Sequence, residues 1–161
     1  MFRIISAVVT VVGAAVLASA SFAGTATGTK AVPFLGTYSG TATAQLSDDY
    51  ADLSAKGKGT AKALGGASTI TGVGSASGKD ACIPWGGTGK LAGKLGALTF
   101  KVVSATGCGD EDGKVFSLTG KAQVTKGTLK LAKAKGTLRF TGIYDRGAGT
   151  FSVKFTGTLA A

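Results

Sequence analysis

Apolar and polar residues alternate along most of the chain. In the segment FLGTYSGTATAQLS, residues 34–47, the even positions from Phe34 to Leu46 are apolar or small, and the odd positions from Thr37 to Gln45 are polar. A period of two is typical of a β-strand with one buried face. The same alternation recurs over residues 55–63, 116–124 and 151–159, and lysines fall on the polar face each time. The chain therefore reads as a series of strands with one core-facing side.

Clusters of glycine, aspartate and serine separate these runs. They lie at residues 47–49, 65–66, 77–80, 109–113 and 145–149. Short strands divided by tight turns, with no sustained helical period after residue 24, predict an all-β fold. The core-facing positions contain many glycines, which weaken a strand unless they bend the sheet or let another backbone approach. We expect a single antiparallel barrel of about eight strands over residues 34–161 rather than a flat sandwich.

The first residues have a different pattern. MFRIISAVVTVVGAAVLASASFAG carries one positive charge, Arg3, followed by an uncharged apolar run and then small residues at 18–20 and 21–23. This order is typical of a secretory signal peptide. We expect residues 1–23 to be removed and residues 24–33 to form a flexible mature N-terminus. The protein would then be secreted or periplasmic, and not transmembrane once processed.

Cysteine and histidine usage narrows the chemistry. Cys82 and Cys108 are the only two cysteines, and such a pair in an exported protein predicts a disulfide. The chain has no histidine, so a zinc or copper site would lack its usual nitrogen ligand. The acidic segment GCGDEDGK, residues 107–114, resembles a calcium loop only in its alternating Asp110 and Asp112, and a polar hairpin held by Cys108 is the better interpretation. We assign no metal and no cofactor.

Two segments of the chain are copies of one motif. GTGKLAGKLGALTF, residues 87–100, and GTLKLAKAKGTLRF, residues 127–140, have Gly, Thr, Lys, Leu, Ala, Gly, Leu and Phe at the same eight places, and a shorter echo begins at Gly59. Each copy reads as a short strand, a bend, a longer strand and a return strand, which predicts a repeating unit of three strands. In the second copy we expect Leu129 and Leu131 on the inner face. A lytic basic helix is the alternative, but its glycines leave barely two turns.

This motif resembles the glycine-rich signature of the dirigent and allene oxide cyclase barrels. The wider layout, from AVPFLGTYSGTAT to GTLKLAKAKGTLRFTGIYDRGAGTFSVKFTGTL, is also similar to small secreted bacterial Gly/Thr-rich β-barrel proteins that have no assigned activity. The resemblance implies an exported eight-stranded barrel. It carries over no catalytic residue, because no polar group of the enzyme cavities is matched in this chain.

Charge is the next lead. Without Arg3, 17 basic and eight acidic residues remain, and residues 86–161 hold 12 of the bases but four of the acids. A field of one sign attracts polyanions such as anionic envelope polymers. The bases are nearly all lysine, which lacks the planar fork that suits phosphate, so we expect no specific nucleic acid partner. Solubility and protection of sheet edges are the alternative role. The candidate polyanion surface consists of Lys126, Lys130, Lys133, Lys135 and Arg139.

The remaining candidates are aromatic. The eight carboxylates all lie in or beside predicted turns, so we assign no catalytic residue. Trp85, Tyr38 and Tyr144 are candidate ligand-facing groups, although a plug that closes one barrel end is the favoured interpretation of Trp85. We expect a secreted non-catalytic barrel that binds a small apolar ligand or an envelope component. A cationic polyanion-binding protein is the first alternative, and a cyclase-like or isomerase-like barrel enzyme using carboxylates or tyrosines is the second.

Overall fold

The chain folds into one closed antiparallel barrel of eight strands. The computed structural model describes residues 30–47 and 50–160. The strands are β1 (Ala31–Ser47), β2 (Tyr50–Ala61), β3 (Gly66–Ser77), β4 (Cys82–Gly93), β5 (Gly96–Gly109), β6 (Val115–Gly127), β7 (Lys135–Asp145) and β8 (Thr150–Ala160). Within the described ranges no helix is long and apolar enough to cross a membrane. The predicted all-β barrel of eight strands is confirmed.

Each strand pairs with its neighbours in sequence, and β1 closes the barrel against β8. Gly36 of β1, for example, faces Ala61 on β2 and Phe155 on β8. The first strand begins at Ala31, three residues before the predicted start of the barrel. The predicted signal peptide, residues 1–23, and residues 24–29 of the predicted flexible segment lie outside the described residues. The barrel is closed by pairing between the first and the last described strands, β1 and β8.

An up-and-down barrel has two unlike ends, because successive connections alternate between them. We call the mouth the end formed by the β1–β2, β3–β4, β5–β6 and β7–β8 connections. We call the closed end the one formed by the β2–β3, β4–β5 and β6–β7 connections, together with the start of β1 and the end of β8. This sorting follows from topology and is independent of side-chain chemistry.

Leucines fill the barrel at the closed end. Leu64 and Leu131 come from the β2–β3 and β6–β7 connections and Leu91 from the end of β4; they are 0%, 8% and 0% exposed, and Leu98 and Leu138 beside them are fully buried. The connections also bond to one another, since the Leu95 amide donates to the Leu64 carbonyl at 3.0 Å and the Lys130 amide to the Leu95 carbonyl at 3.2 Å. The result is a continuous apolar plug under a hydrogen-bonded cover.

The plug explains the sequence repeat. Leu91 and Leu131 occupy equivalent places in the two copies, and so do Leu98 and Leu138. The first copy spans the closed-end turn of the β4–β5 hairpin, and the second runs from the end of β6 through the β6–β7 connection into β7; β5 and β6 pair directly. The first copy has the predicted three strands, as the end of β4, then β5 and the return strand β6, whereas in the second copy a 3₁₀ turn at Leu129–Leu131 takes the place of the short strand before β7 and β8.

The predicted inner position of Leu129 is wrong. Residues Leu129–Leu131 form a short 3₁₀ turn rather than a strand, and Leu129 is 76% exposed while Leu131 enters the plug. Residues two apart in a strand share one face, but in a 3₁₀ turn, with three residues per turn, they point to different sides. The strand resumes at Lys135, so the segment is not a basic helix.

The inward glycines make room for aromatic rings. Phe100 faces Gly89 across the β4–β5 ladder, and a Cβ on that glycine would lie within 2.3 Å of the ring. Phe140 faces Gly120 in the same way, with an approach of 2.5 Å. These rings lie against the barrel wall instead of projecting across its centre, and this arrangement keeps the next part of the interior open.

Candidate functional site: an apolar cavity in the mouth half

A cavity of about 520 Å³ occupies the mouth half of the barrel. Its floor contains the rings of Phe100, Phe140 and Phe155, with Phe155 centred 5.6 Å from each of the other two. The wall residues are mostly apolar and small, which leaves the space unfilled. They include Ala42, Ala44, Leu53, Ala55, Ile70, Gly72, Ala76, Ile83, Trp85, Val102, Phe116, Leu118, Tyr144, Phe151 and Val153. Such an enclosure suits a small apolar molecule.

Trp85 is the one tryptophan of the chain and lies in the cavity wall. It sits where the β4–β5 pairing shifts register between Pro84 and Gly87, and bulges of this kind re-aim a side chain. Its ring is centred 5.5 Å from that of Phe140. The indole Nε1 is buried and has no hydrogen-bond partner in the described part of the chain. A buried donor without an acceptor costs about 1–3 kcal/mol, so an acceptor on a bound molecule would be favoured there.

The two candidate tyrosines lie in different places. Tyr144 lines the cavity, is 8% exposed and stacks on Phe116 with ring centroids 6.2 Å apart. Burial raises the pKa of Tyr144, and nearby Arg146 opposes that effect. Tyr38 is 3% exposed and packs edge-on against Phe155, outside the cavity lining. The structure thus brings Trp85 and Tyr144 to the same cavity and separates Tyr38 from them.

Tyr38 is fixed by a buried hydrogen bond. The Ser68 hydroxyl donates to the Tyr38 hydroxyl at 3.2 Å. Burial raises the pKa of Tyr38, and the bond from Ser68 lowers it by less. Ser68 is the one buried polar side chain of the described core, and it lies two residues after Gly66, as Leu98 and Leu138 lie two residues after Gly96 and Gly136. The pair therefore satisfies two hydroxyls in the core rather than presenting them to a ligand.

The rim of the cavity carries mixed charge. Lys79, Asp80 and Arg146 line the entrance, and so does Tyr50, which is 46% exposed. Asp80 is the only carboxylate of the lining among the described residues, so the paired acids of a glycosidase do not meet in this cavity. The interior itself contains no charged side chain of the described residues.

A disulfide joins two strands at the mouth. Cys82 and Cys108 face each other on β4 and β5 and are bonded, with their Cα atoms 3.9 Å apart, as predicted. The bridge lies next to the register shift that contains Trp85, and it limits how far β4 and β5 can separate there. It also anchors the acidic loop that follows β5.

That loop is organised around one carboxylate. Oδ1 of Asp110 accepts hydrogen bonds from the backbone amides of Lys114, at 2.7 Å, and Val115, at 3.2 Å. These two amides, Val115 first, hold the pKa of Asp110 below its ordinary value of 3.8. Asp112 pairs with the Lys114 ammonium at 3.4 Å on the surface. Within residues 30–47 and 50–160 no three side chains of His, Cys, Asp or Glu are grouped to hold a metal ion.

The predicted cationic residues divide into two groups. Lys126, Lys130, Lys133 and Lys135 lie at the closed end, on or beside the β6–β7 connection. Arg139 lies on the barrel wall, where it faces Lys121 on β6. All five are exposed.

Sequence reasoning did not select most of the cavity. Phe100, Phe140, Phe151 and Phe155 all occupy core-facing positions of the period-two pattern, but that pattern is the same for the filled and the open halves of the barrel. The rim residues Tyr50, at the start of β2, and Arg146, in the β7–β8 turn, have no shared sequence signal. Comparison with known protein families, characterised proteins and solved structures finds no match to this chain.

Proposed function

We propose that this is an exported, non-catalytic barrel that takes up a small apolar ligand through its mouth. The observation that carries the proposal is the cavity of about 520 Å³, walled by aromatic and aliphatic side chains and open at a rim of exposed residues. A core that served only stability would be filled, as the leucine plug at the other end of this barrel is. The same chain therefore packs one half tightly and leaves the other half open.

The chemistry of the wall narrows the ligand class. Apolar side chains supply nearly all of the lining, so the ligand is largely hydrocarbon or aromatic. The unpartnered Nε1 of Trp85 favours a ligand that also carries a hydrogen-bond acceptor, such as a carbonyl or ether oxygen. The ligand carries no group that requires a buried counter-charge, because the interior offers none in the described residues.

Two fluorescent probes test this proposal. One, N-phenyl-1-naphthylamine, is apolar and has no carbonyl; the other, 6-propionyl-2-dimethylaminonaphthalene, has a similar ring system and a carbonyl acceptor. We expect both to bind the folded, disulfide-intact protein with enhanced, blue-shifted emission. The variant Trp85→Phe removes the indole donor and keeps a ring. It should therefore lower the affinity for the carbonyl probe roughly fivefold to tenfold and leave the affinity for the other probe nearly unchanged.

A cavity-filling variant locates the binding. Gly72 lines the cavity, and a Cβ added there would meet nothing closer than 3.4 Å, so Gly72→Phe places a ring in the open space. Thr69→Phe places the same ring on the exposed side of the same strand. We expect Gly72→Phe to lower the affinity for both probes at least tenfold and Thr69→Phe to leave both affinities unchanged. Binding that survives Gly72→Phe undiminished in the folded variant would show that the probes lie elsewhere and would refute the proposal.

A further inference from the structure

The described carboxylates are confined to the mouth side of the barrel, whereas lysines without carboxylates occupy the closed end. The closed end carries seven lysines and no carboxylate of the described residues: Lys30, Lys62, Lys94, Lys126, Lys130, Lys133 and Lys135. The six described carboxylates all lie toward the mouth: Asp52, Asp80, Asp110, Glu111, Asp112 and Asp145. The seven lysines are exposed, and none of them forms an ion pair within the described ranges. We call this group of seven residues the lysine cap.

The lysine cap is one continuous surface. The β2–β3, β4–β5 and β6–β7 connections are joined by the backbone bonds from Leu95 to Leu64 and from Lys130 to Leu95. Lys62, Lys94 and Lys130 therefore lie on touching segments, although they are far apart in sequence. Unpaired charges of one sign this close together produce a local positive potential that attracts an anionic surface.

An exposed leucine lies within the lysine cap. Leu129 is 76% exposed, the largest value among the exposed large hydrophobic residues described, and it is the one non-glycine residue described that has a positive φ, 52°. That backbone conformation costs a leucine roughly 1–2 kcal/mol, and glycine or asparagine would form the turn at less cost. The turn thus holds an apolar side chain out into solvent, between Thr128 and Lys130, at a conformational disadvantage.

We propose that the closed end docks onto an anionic lipid bilayer, with Leu129 entering the interface and the lysine cap contacting lipid headgroups. Lysines around an exposed apolar side chain match the two layers of such a surface, because the ammonium groups meet phosphates while the leucine reaches the acyl boundary. A nucleic acid or an anionic polymer would use the charge but has no place for the leucine. In the docked orientation the mouth, which holds the six described carboxylates, faces away from the bilayer, and the ligand cavity opens to water.

Vesicle flotation tests the docking. The probes are vesicles of phosphatidylglycerol and phosphatidylcholine in equal parts, and vesicles of phosphatidylcholine alone. We expect the protein to float with the anionic vesicles, to be released by salt, and not to float with the neutral ones. Each lysine at the surface contributes roughly fivefold to partitioning, so a fourfold substitution in the lysine cap should lower it by at least about a hundredfold.

A matched variant separates the lysine cap from net charge. The cap variant combines Lys62→Gln, Lys94→Gln, Lys130→Gln and Lys133→Gln. The control removes the same charge from the barrel wall through Lys56→Gln, Lys58→Gln, Lys101→Gln and Lys154→Gln. A loss confined to the cap variant supports the proposal, and an equal loss in both variants overturns it.

The leucine and the orientation are tested separately. Leu129→Asn should reduce partitioning into anionic vesicles about fivefold without lowering stability, because asparagine tolerates positive φ. The control variant Leu35→Asn, at another exposed leucine, should leave the partitioning unchanged. Brominated lipids should leave the fluorescence of Trp85 unquenched, because the docked cavity faces water. Quenching of Trp85 fluorescence would overturn the proposal. It would also be overturned if the protein bound DNA and heparin and the variant Leu129→Asn bound anionic vesicles as well as the wild type does.

Discussion

The inward glycines predict opposite effects for two substitutions that look identical in sequence. Gly72 and Gly89 face each other across the β3–β4 ladder, and both are core-facing. A Cβ on Gly72 would meet the Thr88 carbonyl oxygen at 3.4 Å and the Gly89 Cα at 3.9 Å, which are ordinary contacts beside an open cavity. A Cβ on Gly89 would lie 2.3, 2.9 and 2.9 Å from three ring carbons of Phe100.

The magnitudes follow from those contacts. Replacing glycine by valine at a strand position that accepts a side chain stabilises by about 1 kcal/mol, since the unfolded chain loses freedom and valine favours the extended backbone. Gly72→Val should raise the free energy of unfolding by that amount. Gly89→Val must displace a buried ring that packs on Phe155, and overpacking of this kind costs about 1–3 kcal/mol beyond any gain. We expect the two variants to differ by about 3 kcal/mol in the free energy of unfolding.

Urea denaturation followed by far-UV circular dichroism measures the difference. At about 130 folded residues, 3 kcal/mol corresponds to roughly 10 °C in Tm, so thermal melts give an independent value. The slope of free energy against urea should stay the same in both variants, because neither changes the surface exposed on unfolding. If Gly72→Val destabilises as much as Gly89→Val, the mouth half is not open as described, and the reasoning about the ligand cavity fails with it.

Three other predictions address the mouth and the closed end. Replacing both cysteines, Cys82→Ser with Cys108→Ser, should lower the free energy of unfolding by about 3 kcal/mol, as measured in urea, because the 26-residue separation sets the entropy that the bridge removes from the unfolded chain. Asp110→Ala should remove a pH-dependent contribution to the free energy of unfolding. The pKa of Asp110 is lowered in the folded protein, so its stabilisation is present above its unfolded value of 3.8 and is lost as pH falls through the lower folded value. The stability difference between wild type and Asp110→Ala should therefore be constant near neutral pH and shrink below about pH 4, and a difference that persists at pH 2 would contradict the role of the carboxylate. Leu129→Gly should raise Tm by a few degrees, since it relieves the positive φ of a residue that makes little buried contact, and a fall in Tm would show that the leucine stabilises the turn.

Part of the site was accessible from sequence, and the limit has a physical cause. Trp85 and Tyr144 stand out as aromatic residues near turns, and both line the cavity. Tyr38 also occupies a core-facing position, in the middle of β1, but it lies deeper, beside Ser68, because its position along the barrel axis depends on how far β1 is staggered against β2 and β8. The alternation of apolar and polar residues identifies which face of a strand a residue occupies, but it carries no information about the residue's position along the barrel axis.

Leu129 shows a second limit. Its place next to Leu131 in an apparent alternation predicts burial, but the chain turns between the two residues and only Leu131 reaches the plug. A positive φ at a leucine is unfavourable locally, so no local rule predicts it. The hydrogen bonds of the β6–β7 connection to the neighbouring hairpin accompany this turn, and they are tertiary contacts.

The sequence by itself determined that the chain is a series of amphipathic strands, where most of the turns fall, and which two cysteines can pair. These properties depend on neighbours along the chain, and a period of two records them directly. Only the tertiary structure decided which half of the barrel is filled, which aromatic residues share a cavity, and that the lysines of three connections form one surface. Each of these depends on the closure of β1 against β8 and on the resulting stagger, which brings together residues that no sequence distance relates.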